Sequence, residues 1–392
     1  MRTLQLVLVS VLVVKVFAEM PSITGVTAQQ RYPWNGKVDI SYTVTGDIAA
    51  EAKQQALLTS VKVTATDRTA NTMYTATQLS GDLALTAGTH SIVWDMDAEG
   101  LTFKSTNVVF KVSCETTPAL YCVIDLSAGA NATSYPVTYM SAPPSGGFNV
   151  DIYKTTKLVL RRIAPGSFMM GGLYSVTLSK PFFIGIFEMT QKQYALVIGS
   201  NPSQYTGDKR PVEMVSYDMI RGSSNGALWP SSSAVDATSF IGKLRARTGL
   251  DFDLPTEAQW EYACRAGTTS QFNNGGDTEN DLKVLGRYAA NQSDGKGGYS
   301  ANHTMVGAYL PNAWELYDMH GNVWEWCLDK YGNLSSVATD PVGAHTGSDR
   351  IIRGGSWYSD AAGRCTSSYR LGINSSTDAI SYGFRLVRTL SD

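Results

Sequence analysis

Between Ser22 and Val112 apolar and polar residues alternate with a period of two, in short runs separated by turn residues: Val38–Val44, Val61–Ala65, His90–Trp94 and Asn107–Val112. That alternation turns one face of each strand to a core and the other to water, so residues 19–114 read as an all-β sandwich. Ala49–Ser60 is rich in Ala, Gln and Leu and fits either a short helix or a long inter-strand loop. Asp95 and Asp97 alternate with Trp94 and Met96 as on a solvated strand edge. After Cys114 come short β-prone pieces, Tyr121–Leu126 and Tyr135–Tyr139, and the breaker cluster Ala142–Gly147. Residues 115–150 therefore read as a connecting segment. From 151 to 392 Gly, Trp, Tyr and Asn dominate and periodic runs are short, which predicts a loop-heavy α+β domain.

The first residues change the picture of where the chain works. Arg2 precedes an apolar run from Leu4 to Phe17, and Val16-Phe17-Ala18 fits a small-residue cleavage rule, so residues 1–18 read as a signal peptide and the protein as exported. The run is shorter than the ~20 residues a membrane helix needs, and no later segment is long and apolar enough to span. With 32 Lys plus Arg against 34 Asp plus Glu, the net charge of -2 offers no field to gather nucleic acid or anionic lipid. Five cysteines are too few for a disulfide-built fold; Cys114 and Cys122 are near enough in sequence for a local loop, and Cys264, Cys327 and Cys365 form an odd trio whose pairing is open.

Several blocks then follow in order. Leu158–Gly171 carries an apolar run ending in a glycine turn; Phe187–Tyr194 is followed by Asn201-Pro202-Ser203 and Pro211–Ser216. Thr190 is placed to cap a helix starting at Gln191, and Thr256 to cap one that runs through Trp260 and Cys264 and stops at Gly267. Tyr317–Trp326, Arg353–Trp357 and Tyr382–Leu386 complete the series. Taken together over about 230 residues, these blocks resemble the formylglycine-generating enzyme (sulfatase-modifying factor) family. The resemblance implies a C-type-lectin-like α+β domain over 151–392. The preceding β domain resembles an immunoglobulin-like sandwich without the inter-sheet cysteine pair of antibody domains.

For active members the resemblance implies two cysteines five apart that bind copper(I) and oxidise a substrate cysteine, because a soft cation selects thiolates. Counting forward from Gly354-Gly355-Ser356, those positions fall on Ser359 and Arg364; counting back from Gly383-Phe384-Arg385, they fall on Trp357 and Ala362. Neither register holds a cysteine pair. Cys365 is the one sulfur in the segment, so copper is not expected. The four histidines, His90, His303, His320 and His345, show no pair at helical spacing, and the last three read as surface or loop residues.

The resemblance also implies a calcium site with carboxylates from Asp318 and Glu325 and backbone carbonyls from Gly321 and Val323. On spacing alone the two acids read as loop and strand-edge carboxylates. A second family site would use Asn291 and the carbonyl of Gln292, without a clear later acid. Trp324 and Ser356 correspond to residues lining the family's peptide groove; with Trp357, Tyr358 and the Tyr/Ser-rich stretch from Ser359 to Tyr369 they make a candidate binding surface, although tryptophans of this size also serve as core.

The chain is thus expected to be an exported, calcium-stabilised binding or scaffold module for a protein, peptide or glycan, with no oxidase activity. The alternatives are a formylglycine-generating or other oxidase of the same family, and a hypervariable ligand-binding protein of the lectin fold that diversifies the segment from Tyr358 to Ile380.

Overall fold

A computed structural model describes residues 22–31, 35–102, 107–291, 302–333, 337–359 and 362–390. The signal-peptide expectation for residues 1–18 and the Gln292 ligand lie outside the described residues. The chain divides into two compact units, 1–119 and 120–392. Among the described residues no helix is long and apolar enough to cross a membrane.

The first unit contains β1 (Ser22–Gln30), β2 (Lys37–Thr45), α1 (Ile48–Gln54), β3 (Leu57–Asp67), β4 (Thr72–Thr75), β5 (Leu79–Gly81), β6 (Gly88–Asp95) and β7 (Val108–Pro118). Two antiparallel sheets, ordered β1-β2-β6-β5 and β4-β3-β7, share one core. The alternation does what its period requires: Val38, Ile40, Tyr42 and Val44 of β2 point inward and pack with Trp94 of β6 and with Val63 and Phe110 of the other sheet. Helix α1 starts at Asp47, whose carboxylate accepts the Ala50 N–H at 2.8 Å, and ends before β3, so the Ala49–Ser60 stretch is half helix and half strand.

The second unit begins earlier than the composition suggests, and residues 115–150 are not a connector. β8 (Tyr121–Asp125) and β9 (Val137–Met140) belong to a five-stranded sheet with β10 (Lys157–Ile163), β13 (Phe182–Gly185) and β19 (Val387–Thr389), in the order β19-β13-β10-β8-β9. Four of the five β8 residues are buried. A strand covered on both faces has no polar alternation to announce it, which is why a run such as Tyr121–Ile124 passes for a linker piece. The breaker cluster at 142–147 lies inside the unit.

Two smaller sheets complete the domain. β11 (Gly166–Met170), β12 (Tyr174–Leu178) and β15 (Val337–Thr339) form one; β14 (Trp324–Lys330), β16 (Asp349–Arg353), β17 (Arg370–Asn374) and β18 (Tyr382–Gly383) form the other, ordered β17-β16-β14-β18. Helices are few and short, chiefly α2 (Gln191–Ile198), α3 (Tyr217–Arg221), α4 (Phe240–Thr248) and α5 (Glu257–Arg265). Thr190 and Thr256 cap α2 and α5 as expected, each in a reciprocal box with the glutamine three residues on. Trp260 and Cys264 of α5 enter the main core beside Phe182, Ile184 and Met319. The result is the mixed, sheet-rich α+β domain that the blocks imply.

Candidate functional site

The Arg353–Trp357 block is a turn that leaves β16 and folds back under itself. Gly355 has φ +76, and a Cβ there would collide with the Cys365 sulfur, so only glycine fits. Ser356 N–H donates to the Ser359 hydroxyl at 2.9 Å, Tyr358 N–H donates to the Ser356 hydroxyl at 3.2 Å, and Trp357 N–H donates to the Asn322 carbonyl at 2.9 Å. These bonds tie the turn to the Tyr317–Trp326 block. Next to it, Trp324 of β14 lies in register with Tyr382 of β18 on parallel strands.

A recess of about 260 Å³ opens between these pieces. Of the expected groove residues, Trp324, Ser356 and Tyr358 line it, together with Ser359 and Arg364, the two positions reached by the forward count from Gly354-Gly355-Ser356. Trp357 does not: its ring is buried, its indole N–H donates to the Ile380 carbonyl at 3.1 Å, and it packs edge-on against Tyr358 and Tyr205. Trp324 is both core and lining, 6% exposed. Tyr369 faces Trp324 with ring centroids 5.9 Å apart, while Leu371, Ser381 and Tyr382 close the remaining wall. The last three escaped the sequence reading; the signal for two of them was their position just before Gly383-Phe384-Arg385. Thr366 and Ser367, expected on the surface of the stretch, are buried, and the Ser367 hydroxyl donates to the Gln271 carbonyl at 3.0 Å.

Cys365 sits beneath this turn, fully buried. Burial pushes its thiol up to about 12, against the smaller opposing pull of hydrogen bonds from Ser359 and Ser356. All five cysteines are free, so Cys114 and Cys122 do not close a loop and the trio does not pair. His303 and His320 lie in loops, and both are buried there. His320 is enclosed, donates from Nδ1 to the Cys365 carbonyl at 2.7 Å and accepts the Asn273 N–H at Nε2, and desolvation holds it neutral with a pKa near 4, lowered to about 4. His303 lies 3.6 Å from the equally buried Glu213.

Of the two carboxylates expected at the calcium site, Glu325 is engaged by other side chains of the protein. The Glu325 carboxylate receives Arg385 Nε and a terminal guanidinium nitrogen at 2.6 Å each, and the Trp260 indole N–H at 2.7 Å. Both of its oxygens are committed, which the ligand expectation did not foresee because Arg385 lies 60 residues away. Asp318 fits a cation better: one oxygen accepts the Gly307 N–H at 2.6 Å, and the other is buried with no hydrogen-bond partner. Gly321 has φ +94 and its Cα faces the Arg287 carbonyl too closely for any side chain, so the loop turns as a ligand loop would. Glu188 joins the group, accepting the Val323 N–H at 3.0 Å, and its carboxyl is driven far above the usual range by burial and by the neighbouring Asp318 and Glu325 charges. Among the described residues no three His, Cys, Asp or Glu side chains are arranged to hold a metal.

Asn291 of the weaker expected site is engaged within the chain. The Asn291 side chain accepts the Tyr288 N–H at 2.9 Å and donates to the Gly286 carbonyl at 2.8 Å, and its backbone carbonyl accepts from Arg287 at 2.7 Å. Its amide oxygen therefore completes a turn.

Comparison with known proteins agrees with this geometry. The family model for the sulfatase-modifying factor enzyme 1-like domain matches residues 153–390. A chaperone protein LppX of Paenibacillus barcinonensis is 31% identical over 210 residues, covering 47% of this chain and 72% of that protein. The formylglycine-generating enzyme of Mus musculus is 32% identical over 157 residues, covering 38% of this chain and 41% of the mouse protein. The chain thus spans well under half of that enzyme's length. Among solved structures, Treponema denticola variable protein 1 superposes with a TM-score of 0.50 at 26% identity, covering 59% of this chain and 95% of that one.

Proposed function

The chain belongs to the sulfatase-modifying factor enzyme 1-like domain family, and from that premise we propose that it is an exported binding or scaffold module in which the family's oxidase chemistry has been lost. The observation that carries this reading is the chemistry of the recess wall. Ser359 and Arg364 in the forward count, or Trp357 and Ala362 in the backward one, stand where two thiolates are needed, and none of these side chains holds copper(I). The nearest sulfur, Cys365, is buried below the wall with its thiol raised to about 12, so it is neither a thiolate nor exposed to a substrate. What remains is a shaped, aromatic and hydroxyl-lined hollow, the composition of a recognition surface.

The first unit takes an immunoglobulin-like reading from its strand order, β1-β2-β6-β5 over β4-β3-β7, and supplies a spacer without chemistry of its own. A calcium ion at Asp318 is part of the proposal, supported by the unpartnered oxygen of that buried carboxylate. Glu325, bound to Arg385, takes no part in it. The likeness to a variable protein of Treponema denticola favours a second reading, a family of copies that diversify the recess wall between Tyr358 and Ile380.

Copper(I) titration of the protein from residue 19 onward, with mass spectrometry of a cysteine-containing peptide incubated with it in air, tests the reading. The expected result is no stoichiometric copper and no aldehyde on the peptide. Tight binding of one copper per chain with conversion of the peptide cysteine would overturn it.

A further inference from the structure

We propose that the loop 82–87 of the first unit, between β5 and β6, is a pH-sensitive latch, shut while the His90 ring carries both its N–H protons and released when it loses one. The geometry around the ring comes first. Nδ1 lies 2.9 Å from a carboxylate oxygen of Asp82, and Nε2 lies 2.7 Å from the Thr86 carbonyl oxygen. A carbonyl only accepts. The half-exposed Asp82 carboxylate, held below its usual range by His90 and by the Ala84 N–H, is ionised and also only accepts. Both ring nitrogens therefore donate, which a neutral imidazole cannot do. The ring stacks on Tyr42 of β2 with centroids 5.3 Å apart and planes at 30°, a contact that favours the cation.

What the ring holds is the loop itself. Asp82 opens the loop and Thr86 stands near its end, so two hydrogen bonds to one side chain draw the ends together. The Tyr42 hydroxyl, 3.2 Å from the carbonyls of Asp82 and Ala84, shares its one proton between them, and the Ala84 N–H donates to the other Asp82 oxygen at 3.1 Å. Between these anchors Leu85 is buried in the core of the sandwich, and its carbonyl accepts the Ala49 N–H at the start of α1 at 3.4 Å. Leu85 is thus a plug that the latch keeps seated. The loop leaves the sheet at Gly81 and rejoins it at Gly88, where no side chain resists rotation.

Asp82 supplies the charge that acts on the ring, and Tyr42 is the titratable group facing it from β2. Around them, Lys37 and Asp39 of β2 are paired with Asp95 and Arg31, and Asp47, Glu51 and Lys53 at α1 are exposed. Lys62, Asp67, Lys111 and Glu115 of the facing sheet do not act on it. The Thr86 carbonyl and then Asp82 raise the ring above its ordinary value of ~6.5, against the opposing effect of burial. Because the folded value is the higher one, the latch is fully shut below pH ~6.5 and is lost as pH rises through the folded value. Deprotonation leaves one N–H for two acceptors and turns a lone pair toward an oxygen.

Two readouts on the protein from residue 19 onward test the latch. The carbon-bound ring proton of His90, assigned by its loss in His90→Gln, is titrated by NMR. Hydrogen exchange of the peptide spanning 82–87 is followed over the same pH range and corrected for the intrinsic pH dependence of exchange. The expected result is a ring that titrates above pH ~6.5 and a loop whose protection falls across that same midpoint, by about tenfold for each pH unit separating the midpoint from ~6.5. His90→Gln, with no proton to lose, should show protection that is level with pH. Tyr42→Phe keeps the stack and removes the hydroxyl from the loop, so protection should drop at every pH with the slope retained. A His90 midpoint at or below ~6.5, protection that stays level while the ring titrates, or a slope surviving in His90→Gln overturns the latch. Where His90→Gln does not fold, the two wild-type curves decide by themselves, since midpoints that fail to coincide overturn it equally.

Discussion

Arg385 and Glu325 form a two-point ion pair inside the second unit, with both nitrogen-to-oxygen distances at 2.6 Å and both residues essentially inaccessible to solvent. The guanidinium also donates to the carbonyls of Gly185 and Tyr317, so one side chain fastens β14, β13 and the loop before β14 together. It is at the same time a counter-charge for Glu188 and Asp318. Replacing it with methionine strands buried carboxylates, and the expected loss is ~3–5 kcal/mol by urea unfolding. A loss below about 1 kcal/mol would show that the buried carboxylates do not depend on this cation.

Asp318 supplies the test for calcium. With a cation at its unpartnered oxygen, a chelator should lower the melting temperature of the wild-type protein by several degrees, and Asp318→Asn should remove the difference. Identical melting curves with and without chelator would place no cation there.

Asp329 gives a pH dependence of defined sign. It is enclosed, burial and the nearby Glu257 charge raise its pKa to about 8, and it accepts the Glu257 N–H at 2.7 Å. An unfolded aspartate releases its proton near pH ~4. Between these values the folded state holds one more proton than the unfolded state, so the contribution to stability is complete below about pH 4 and is lost as pH rises to about 8. The slope from this group is at most about 1.4 kcal/mol per pH unit. Asp329→Asn keeps an acceptor for the amide and should flatten that slope, as read from denaturant midpoints across the range. A slope unchanged in the variant would assign the proton elsewhere.

Thiol counting tests the cysteine chemistry. Cys122, Cys264, Cys327 and Cys365 are buried, and Cys114 is partly exposed. Ellman's reagent should titrate Cys114 slowly in the native protein and all five thiols after unfolding. Fast reaction of Cys365, identified by peptide mapping, would contradict its enclosure under Gly355.

Local chemistry was the legible part of this domain. Thr190 and Thr256 announce their helices because a cap needs only a hydroxyl and the next three residues. Thr256→Ala should accordingly cost about 1 kcal/mol by thermal unfolding. The recess was legible in outline, since Trp324 and Ser356 fall in two blocks that the turn after β16 brings together, and Tyr358, Ser359 and Arg364 follow in the stretch after the second. Leu371 comes from β17, Tyr382 from β18 and Ser381 from the turn before it; the pairing of these strands with β16 and β14 is a tertiary fact, and the place of Ser381 and Tyr382 just before Gly383-Phe384-Arg385 is their one mark in the sequence. The same holds for Glu325: its spacing from Asp318 fits a ligand loop, and what occupies its oxygens instead arrives from far along the chain. β8 reads as β-prone, and its membership of the second unit was hidden for the opposite reason, an excess of burial that erased the alternating pattern.

The sheet order β19-β13-β10-β8-β9 places the last strand beside one that precedes it by about two hundred residues, with Phe182 opposite Thr389. Most of this domain must therefore wait in the ribosome's wake with its central sheet one strand short and Glu325 without its arginine. Closing that pairing depends on a contact of high sequence separation, the kind whose loop-closure cost slows folding.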